Sequence, residues 1–180
     1  MMDIGGHGID LIRALTGKNI VKVLSISKMG GEAGAYGWNG NLNGDELFAV
    51  QAYELEDGIK AVHEIFWSQV SKTERFDVEI YGRRGSLFIR NPFETKELLL
   101  GRARGEAGKG IDWEYPEYEK TFFGLYHHQL FIDDLRSGGH QSLSCADGFA
   151  AIAVIEAARR SMATGKWEEV LTPENRGGKK

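Results

Sequence analysis

The chain has 180 residues, 42% hydrophobic and 27% charged, with a formal net charge of −4 and a pI near 5.8. These values fit one soluble globular domain with room for a single core, and they lack the basic footprint of a nucleic-acid or anionic-membrane binder. One cysteine, Cys145, excludes an internal disulfide, and no apolar run approaches a membrane span or a signal sequence, so a reducing, cytoplasmic setting is expected.

The chain opens on Asp3-Ile-Gly-Gly-His7-Gly-Ile-Asp10. Residues three and four apart share a helix face, so an acid, an imidazole and a second acid would project together. An imidazole beside a carboxylate suits a general base acting on a substrate hydroxyl. The plainer alternative is an ordinary amphipathic helix with first-turn acids placed by the helix dipole. Gly5, Gly6 and Gly8 bear on the choice, because each costs a helix about 1 kcal/mol relative to alanine. A helix that tolerates all three is expected to have something close against its backbone.

The spacing predicts a helix over His7 to Leu15, closed by Gly17, then a strand over Ile20 to Ile26. Gly30 to Gly44 holds six glycines with Tyr36 and Trp38, and reads as a long functional loop. Leu47 to Leu55, a turn at Asp57-Gly58 and Ile59 to Trp67 make a hairpin. Phe76 to Tyr81 alternates strictly, and the turn Gly82 to Gly85 leads into strands at Ser86 to Arg90 and Glu97 to Leu100. Short turns between successive strands imply an antiparallel meander.

The period then changes. Phe123, Tyr126, Leu130, Phe131 and Leu135 form the stripe of an amphipathic helix ending at Gly138-Gly139. A last helix starts at Ser144, capped with Asp147 three residues on, and its expected inner face is Phe149, Ile152, Ile155, Ala158 and Met162. The domain is expected over residues 1–171, with a polar, disordered tail at 172–180. Strands followed by helices give an α+β class: an open, mainly antiparallel sheet with helices on one face.

The hairpin is apolar on both faces. Leu47, Ala49, Tyr53 and Leu55 point one way while Phe48, Val50 and Ala52 point the other, and Ile59, Ala61, Ile65 and Trp67 oppose Val62 and Phe66. A sheet with one wet face alternates more cleanly, so the uncovered face is expected to meet a partner, most simply a second copy of the chain.

In order and content these segments resemble one family. Asp3 to Gly17 is similar to the D-x-G-x-H-x-x-D-x-x-x-x-L-x-G segment of the Gfo/Idh/MocA oxidoreductases, at the start of their C-terminal domain. Val78 to Leu87 is similar to the v-x-i-x-G-x-x-G-x-l hairpin, Tyr126 to Gly138 to the y-x-x-x-x-x-F-x-x-x-l-x-x-G helix, and Asp147 to Gly165 to the closing helix. The resemblance implies a substrate and oligomerisation domain, dimeric or tetrameric through the open sheet face, in an enzyme that moves hydride between a nicotinamide cofactor and a sugar, inositol or related polyol. It implies that His7 is the acid/base, that Asp3 orients it or binds substrate, and that Asp10 is a substrate-binding, supporting acid.

The family's Rossmann domain has no counterpart in this sequence. Gly31, Gly34 and Gly37 have the wrong spacing, and Gly105 to Gly110 ends in Gly-Lys-Gly. No cofactor is expected on this chain alone; NAD(P) is expected in a full-length form or with a separate Rossmann domain or subunit. His127, His128 and His140 lack a fourth ligand at metal spacing, Cys145 lacks a base, and neither is assigned a site. Trp38, Trp67, Trp113 and Tyr115 are core or interface aromatics on the plainer reading and sugar-stacking rings on the other. A non-catalytic oligomerisation or carbohydrate-binding module is the alternative function.

Overall fold

The computed structural model describes residues 4–29, 46–66, 77–90, 97–104, 110–118, 123–138 and 145–172. The Gly30 to Gly44 loop, Trp38, Trp67, the Ser144 cap, His140 and the tail beyond Thr172 lie outside the described residues. The elements are α1 (Ile4–Thr16), β1 (Ile20–Met29), β2 (Glu46–Leu55), β3 (Lys60–Phe66), β4 (Asp77–Gly82), β5 (Gly85–Arg90), β6 (Glu97–Ala103), β7 (Ile111–Glu114), α2 (Phe123–Ser137), α3 (Cys145–Thr164) and β8 (Glu168–Glu169). The α+β class and the antiparallel pairing hold throughout. The described strands divide between two four-stranded sheets, ordered β3-β2-β1-β8 and β4-β5-β6-β7, where the sequence reads as one meander.

Two compact units result, Met1–Gln69 with Asp134–Lys180, and Val70–Asp133. In the first, β2 and β3 turn back through Asp57 and Gly58, both at positive φ (58° and 76°), the conformation for which an Asp-Gly pair is suited. The inner sheet face presents Val23, Ala49, Tyr53, Leu55 and Ile65, and it packs under Ile9 of α1 and Val154, Ile155, Ala157 and Ala158 of α3. Full burial of each large apolar side chain contributes roughly 1.5–3 kcal/mol.

The inner face of α3 differs from the predicted one at Ile152, which is 47% exposed, while Ala153, Val154, Ala157 and Ser161 are buried. Small residues decide this. Alanines and a serine let the helix lie close on the strands, and a sequence stripe of large residues does not register them. Ser161 then does polar work in the core: its hydroxyl accepts the backbone N–H of Ser25 at 2.9 Å and donates to the Lys166 carbonyl at 2.6 Å. One side chain thereby joins α3, β1 and the turn before β8.

In the second unit β7 is an element the sequence reading lacked: Ile111-Asp112-Trp113-Glu114 alternates, but over four residues only, all of them exposed. Trp113 on β7 stacks on Phe88 with ring centroids 5.5 Å apart, and Tyr81 meets Phe88 edge-on at 5.8 Å. Of the stripe predicted for α2, Leu130 is half-buried and Tyr126, Phe131 and Leu135 are exposed.

Candidate functional site

Helix α1 begins before the predicted His7, at Ile4, and turns two faces in opposite senses. Gly5, Gly8 and Ile9 are buried, whereas His7 is exposed and Asp10 is half-buried. The glycines can be told apart by what a Cβ would meet. At Gly8 it would fall within van der Waals distance of Cε1 and Nε2 of His63, on β3; at Gly6 it would only reach Ile155 Cδ1 at 4.0 Å. The close approach expected from the glycine content is therefore an imidazole ring under Gly8. Gly8→Ala is expected to lower stability by up to about 2 kcal/mol, because overpacking costs roughly 1–3 kcal/mol against a helix-propensity gain of about 1 kcal/mol. Denaturant midpoints of the two proteins measure it.

His63 belongs to a buried polar group that sequence reasoning missed. Gln51 and His63 are register partners across β2 and β3. Gln51 is 0% exposed and Tyr53 1%. The Tyr53 hydroxyl hydrogen-bonds the Gln51 side-chain carbonyl and lies 3.2 Å from His63 Nδ1. Burial raises the Tyr53 phenol far above its usual range and pushes the His63 imidazole down to about 4, so both are neutral at pH 7. The signal was present in the alternation: Gln51 interrupts the inward set Ala49, Tyr53, Leu55, and His63 interrupts Ala61, Ile65. A polar residue in an inward position of each of two paired strands is a sign of a network.

Asp10 is placed beside Arg13, with Oδ1 3.4 Å from Nη1. Arg13, whose side chain is 15% exposed, also reaches Asp147 of α3 at 3.2 Å and Asn19 at 3.3 Å. These residues line an open cleft with Ala14, Gly17 and Lys18. Asp10 is thus engaged in a charge chain that ties α1 to the first turn of α3. Asp3 lies outside the described residues. Of the three predicted site residues, the structure describes His7 and Asp10, on one helix.

Other candidates resolve more simply. His127 and His128 have ring centroids 6.4 Å apart at 75°, and His128 Nδ1 is 2.6 Å from the Gly124 carbonyl of its own helix. Among the described residues no three His, Cys, Asp or Glu side chains gather as a metal site, and no described helix is long and apolar enough to cross a membrane. All described strand pairs run antiparallel. A dinucleotide fold needs parallel strands joined through a helix whose N-terminus receives the pyrophosphate, and the described strands do not form that arrangement.

The family model for the oxidoreductase family, C-terminal alpha/beta domain (Gfo/Idh/MocA) matches residues 1–170. Among solved structures the chain is similar to an oxidoreductase domain protein from Kribbella flavida, with a TM-score of 0.76 and 18% identity over 94% of this chain and 51% of that one. It is similar to levoglucosan dehydrogenase in complex with NADH, with a TM-score of 0.75 and 19% identity over 94% of this chain and 50% of that one. An aldose-aldose oxidoreductase from Caulobacter crescentus, complexed with glycerol, shares a TM-score of 0.71 and 16% identity over 93% of this chain and 46% of that one. The chain spans about half the length of these structures, and at such identities the likeness carries the fold alone. No curated protein sequence matches it. The family match over residues 1–170, on an α+β fold shared with these structures, makes this chain a member of the Gfo/Idh/MocA oxidoreductase family that carries its C-terminal alpha/beta domain.

Proposed function

We propose that residues 1–171 are the substrate and assembly domain of a nicotinamide-dependent sugar or polyol oxidoreductase, in which His7 is the acid/base. The observation that carries this is the position of His7: exposed on a helix whose opposite edge is locked by Gly8 against His63. An imidazole on a helix, open to a small molecule, suits proton transfer, which supports this reading. In the oxidation direction an unprotonated ring nitrogen takes the proton of the substrate hydroxyl as the carbonyl forms, and in reduction it returns that proton to the oxygen. Asp3 orients the ring or binds substrate, and Asp10 is the supporting acid at the edge of the site. The cofactor, NAD or NADP, belongs to a separate Rossmann domain or subunit, and the single Cys145 suits a cytoplasmic setting.

The test mixes this chain with a Rossmann domain of the family and follows NAD(P)H absorbance over a panel of sugars, inositols and polyols. Calorimetry is run on the chain alone with NAD(H) and NADP(H). Turnover only in the mixture, with no heat of binding to the chain alone, supports the reading. Micromolar binding by the chain alone overturns it.

The same reading assigns the outer face of the first sheet to a second copy of the chain, as a dimer or tetramer. Ile26 and Val62 are 64% and 69% exposed there, beside the Phe48–Phe66 pair with centroids 4.7 Å apart. Exposed apolar side chains on one sheet face, here with Glu64 among them, suit an interface. Val62→Asp is expected to convert the assembly to monomer in light scattering without changing the far-UV circular dichroism. A second reading, a carbohydrate-binding module without catalysis, is favoured by the exposed rings of Tyr81 and Trp113 on either side of half-buried Phe88, since exposed aromatics suit sugar stacking. It predicts sugar binding by the chain with no turnover in the mixture.

A further inference from the structure

Three buried side-chain atoms have no hydrogen-bond partner among the described residues: Arg13 Nε on α1 and, on the first sheet, Ser25 Oγ and Gln51 Nε2. The two on the sheet are neighbours. Ser25 and Gln51 are register partners across β1 and β2, and Gln51 and His63 are register partners across β2 and β3. Directly opposed residues of an antiparallel pair carry their Cβ atoms about 4.5–5.5 Å apart. Three polar side chains thus stand side by side across the inner face of the sheet, Ser25 and Gln51 buried and His63 half-buried. Such groups are satisfied in folded proteins, and a site with several polar partners holds a water readily.

The row has a direction. The Tyr53 hydroxyl has one proton and gives it to the Gln51 carbonyl, so toward His63 it can only accept. Nδ1 of His63 therefore carries the ring proton. The opposite edge of the same ring, Cε1 and Nε2, lies against Gly8, the residue after His7. At its other end the row continues through the Ser25 N–H to the Ser161 hydroxyl and on to the Lys166 carbonyl.

We infer that Ser25, Gln51, Tyr53 and His63 form one buried positioning row, closed by a water between Ser25 Oγ and Gln51 Nε2, that fixes the His63 ring and so holds the turn of α1 bearing His7. The inference rests on His7 being the acid/base. The four act through the backbone at Gly8, against which the His63 ring lies. A general base displaced by 1 Å loses much of its rate, and locked supporting side chains are what prevent such displacement. The row is built to lock: an imidazole in one tautomer, wedged between a phenol and a helix backbone with no Cβ in the way.

The experiment is NMR on the full 180-residue chain labelled with 15N. The long-range imidazole spectrum is expected to show His63 as the Nδ1–H tautomer alone, with a water cross-peak at the Gln51 side-chain amide. In Tyr53→Phe, which keeps the ring and removes the hydroxyl, the backbone order parameters of His7 and Gly8 are expected to fall from about 0.85 to below about 0.6, while those of Ala157 and Ala158 stay unchanged. Loss of global stability alone would move the unfolding midpoint and leave native-state order at His7 intact. Unchanged order at His7 and Gly8 in Tyr53→Phe overturns the inference. So does a His63 ring not held in the Nδ1–H form in the wild-type chain, a reading available even where the variant does not fold. Neither readout needs turnover. A confirmed row with turnover insensitive to His7 would remove the proposed function and spare the row, whereas His7-dependent turnover with unaltered order would remove the row alone.

Discussion

His7→Ala is expected to lower kcat of the mixed enzyme by about a hundred- to ten-thousand-fold, the usual contribution of a positioned general acid/base. That corresponds to roughly 3–5 kcal/mol of transition-state stabilisation. KM for the sugar should move far less, because the imidazole acts on the proton in flight rather than on the bound ground state. Fold and assembly should be untouched. His7 is exposed, whereas the buried edge of α1 is made by Gly5, Gly8 and Ile9, and the apolar outer sheet face is built from other strands. Circular dichroism and solution mass on the same sample check this. An alanine variant that turns over within threefold of the wild type would remove His7 from the acid/base role.

Acid is expected to weaken the first unit by on the order of 2–3 kcal/mol between about pH 6.5 and pH 4, through His63. The sign follows from proton counts. Burial holds the folded imidazole down at about 4, so in this window the unfolded chain binds a proton that the folded chain does not. The stability contribution is complete above the unfolded pKa and is lost as pH falls through the folded one. Glu54 and Asp112 also have carboxyls held below the usual range, first by side-chain hydrogen bonds to Lys60 and Arg104 respectively, but both are surface groups and their loss belongs to lower pH. The interval from pH 6.5 to 5 is therefore where His63 acts with least interference. Urea titrations across it in wild type and His63→Gln decide the matter: the wild-type midpoint should drop with acid and the variant's should stay nearly level. Parallel slopes would mean that the imidazole accepts its proton without leaving its place.

Much of the strand pattern was legible because the strands are long and alternate. Ala49, Tyr53, Leu55 and Ile65 are buried where period-two reading puts them, whereas Ile20 and Val23 are both buried only because the register shifts between Ile20 and Lys22. The Asp57-Gly58 turn and the stop at Gly17 were legible because few residues adopt those backbone conformations at low cost. β7 and β8 were not: β7 is four exposed residues, and β8 is two residues whose partner strand, β1, is distant in sequence. On α3 the predicted face failed only at Ile152, and the burial of Ala153, Ala157 and Ser161 was hidden because small residues carry little hydropathy signal yet decide how near a helix can come.

The candidate site divides in the same way. By itself the sequence determined the α+β class, the antiparallel pairing and the family, because each is written in local spacing: the Asp3, His7, Asp10 interval, the Gly82 to Gly85 turn, the periods of two and of about four. Tertiary structure alone decided what stands behind the site. Gly8 meets His63 from 55 residues away, Asp10 turns to Arg13 and through it to Asp147, and Ser25, Gln51 and His63 line up only when three strands take their register. Contacts of that kind are set by packing and by the cost of leaving a buried polar group unpaired, and neither is a property of any one stretch of chain.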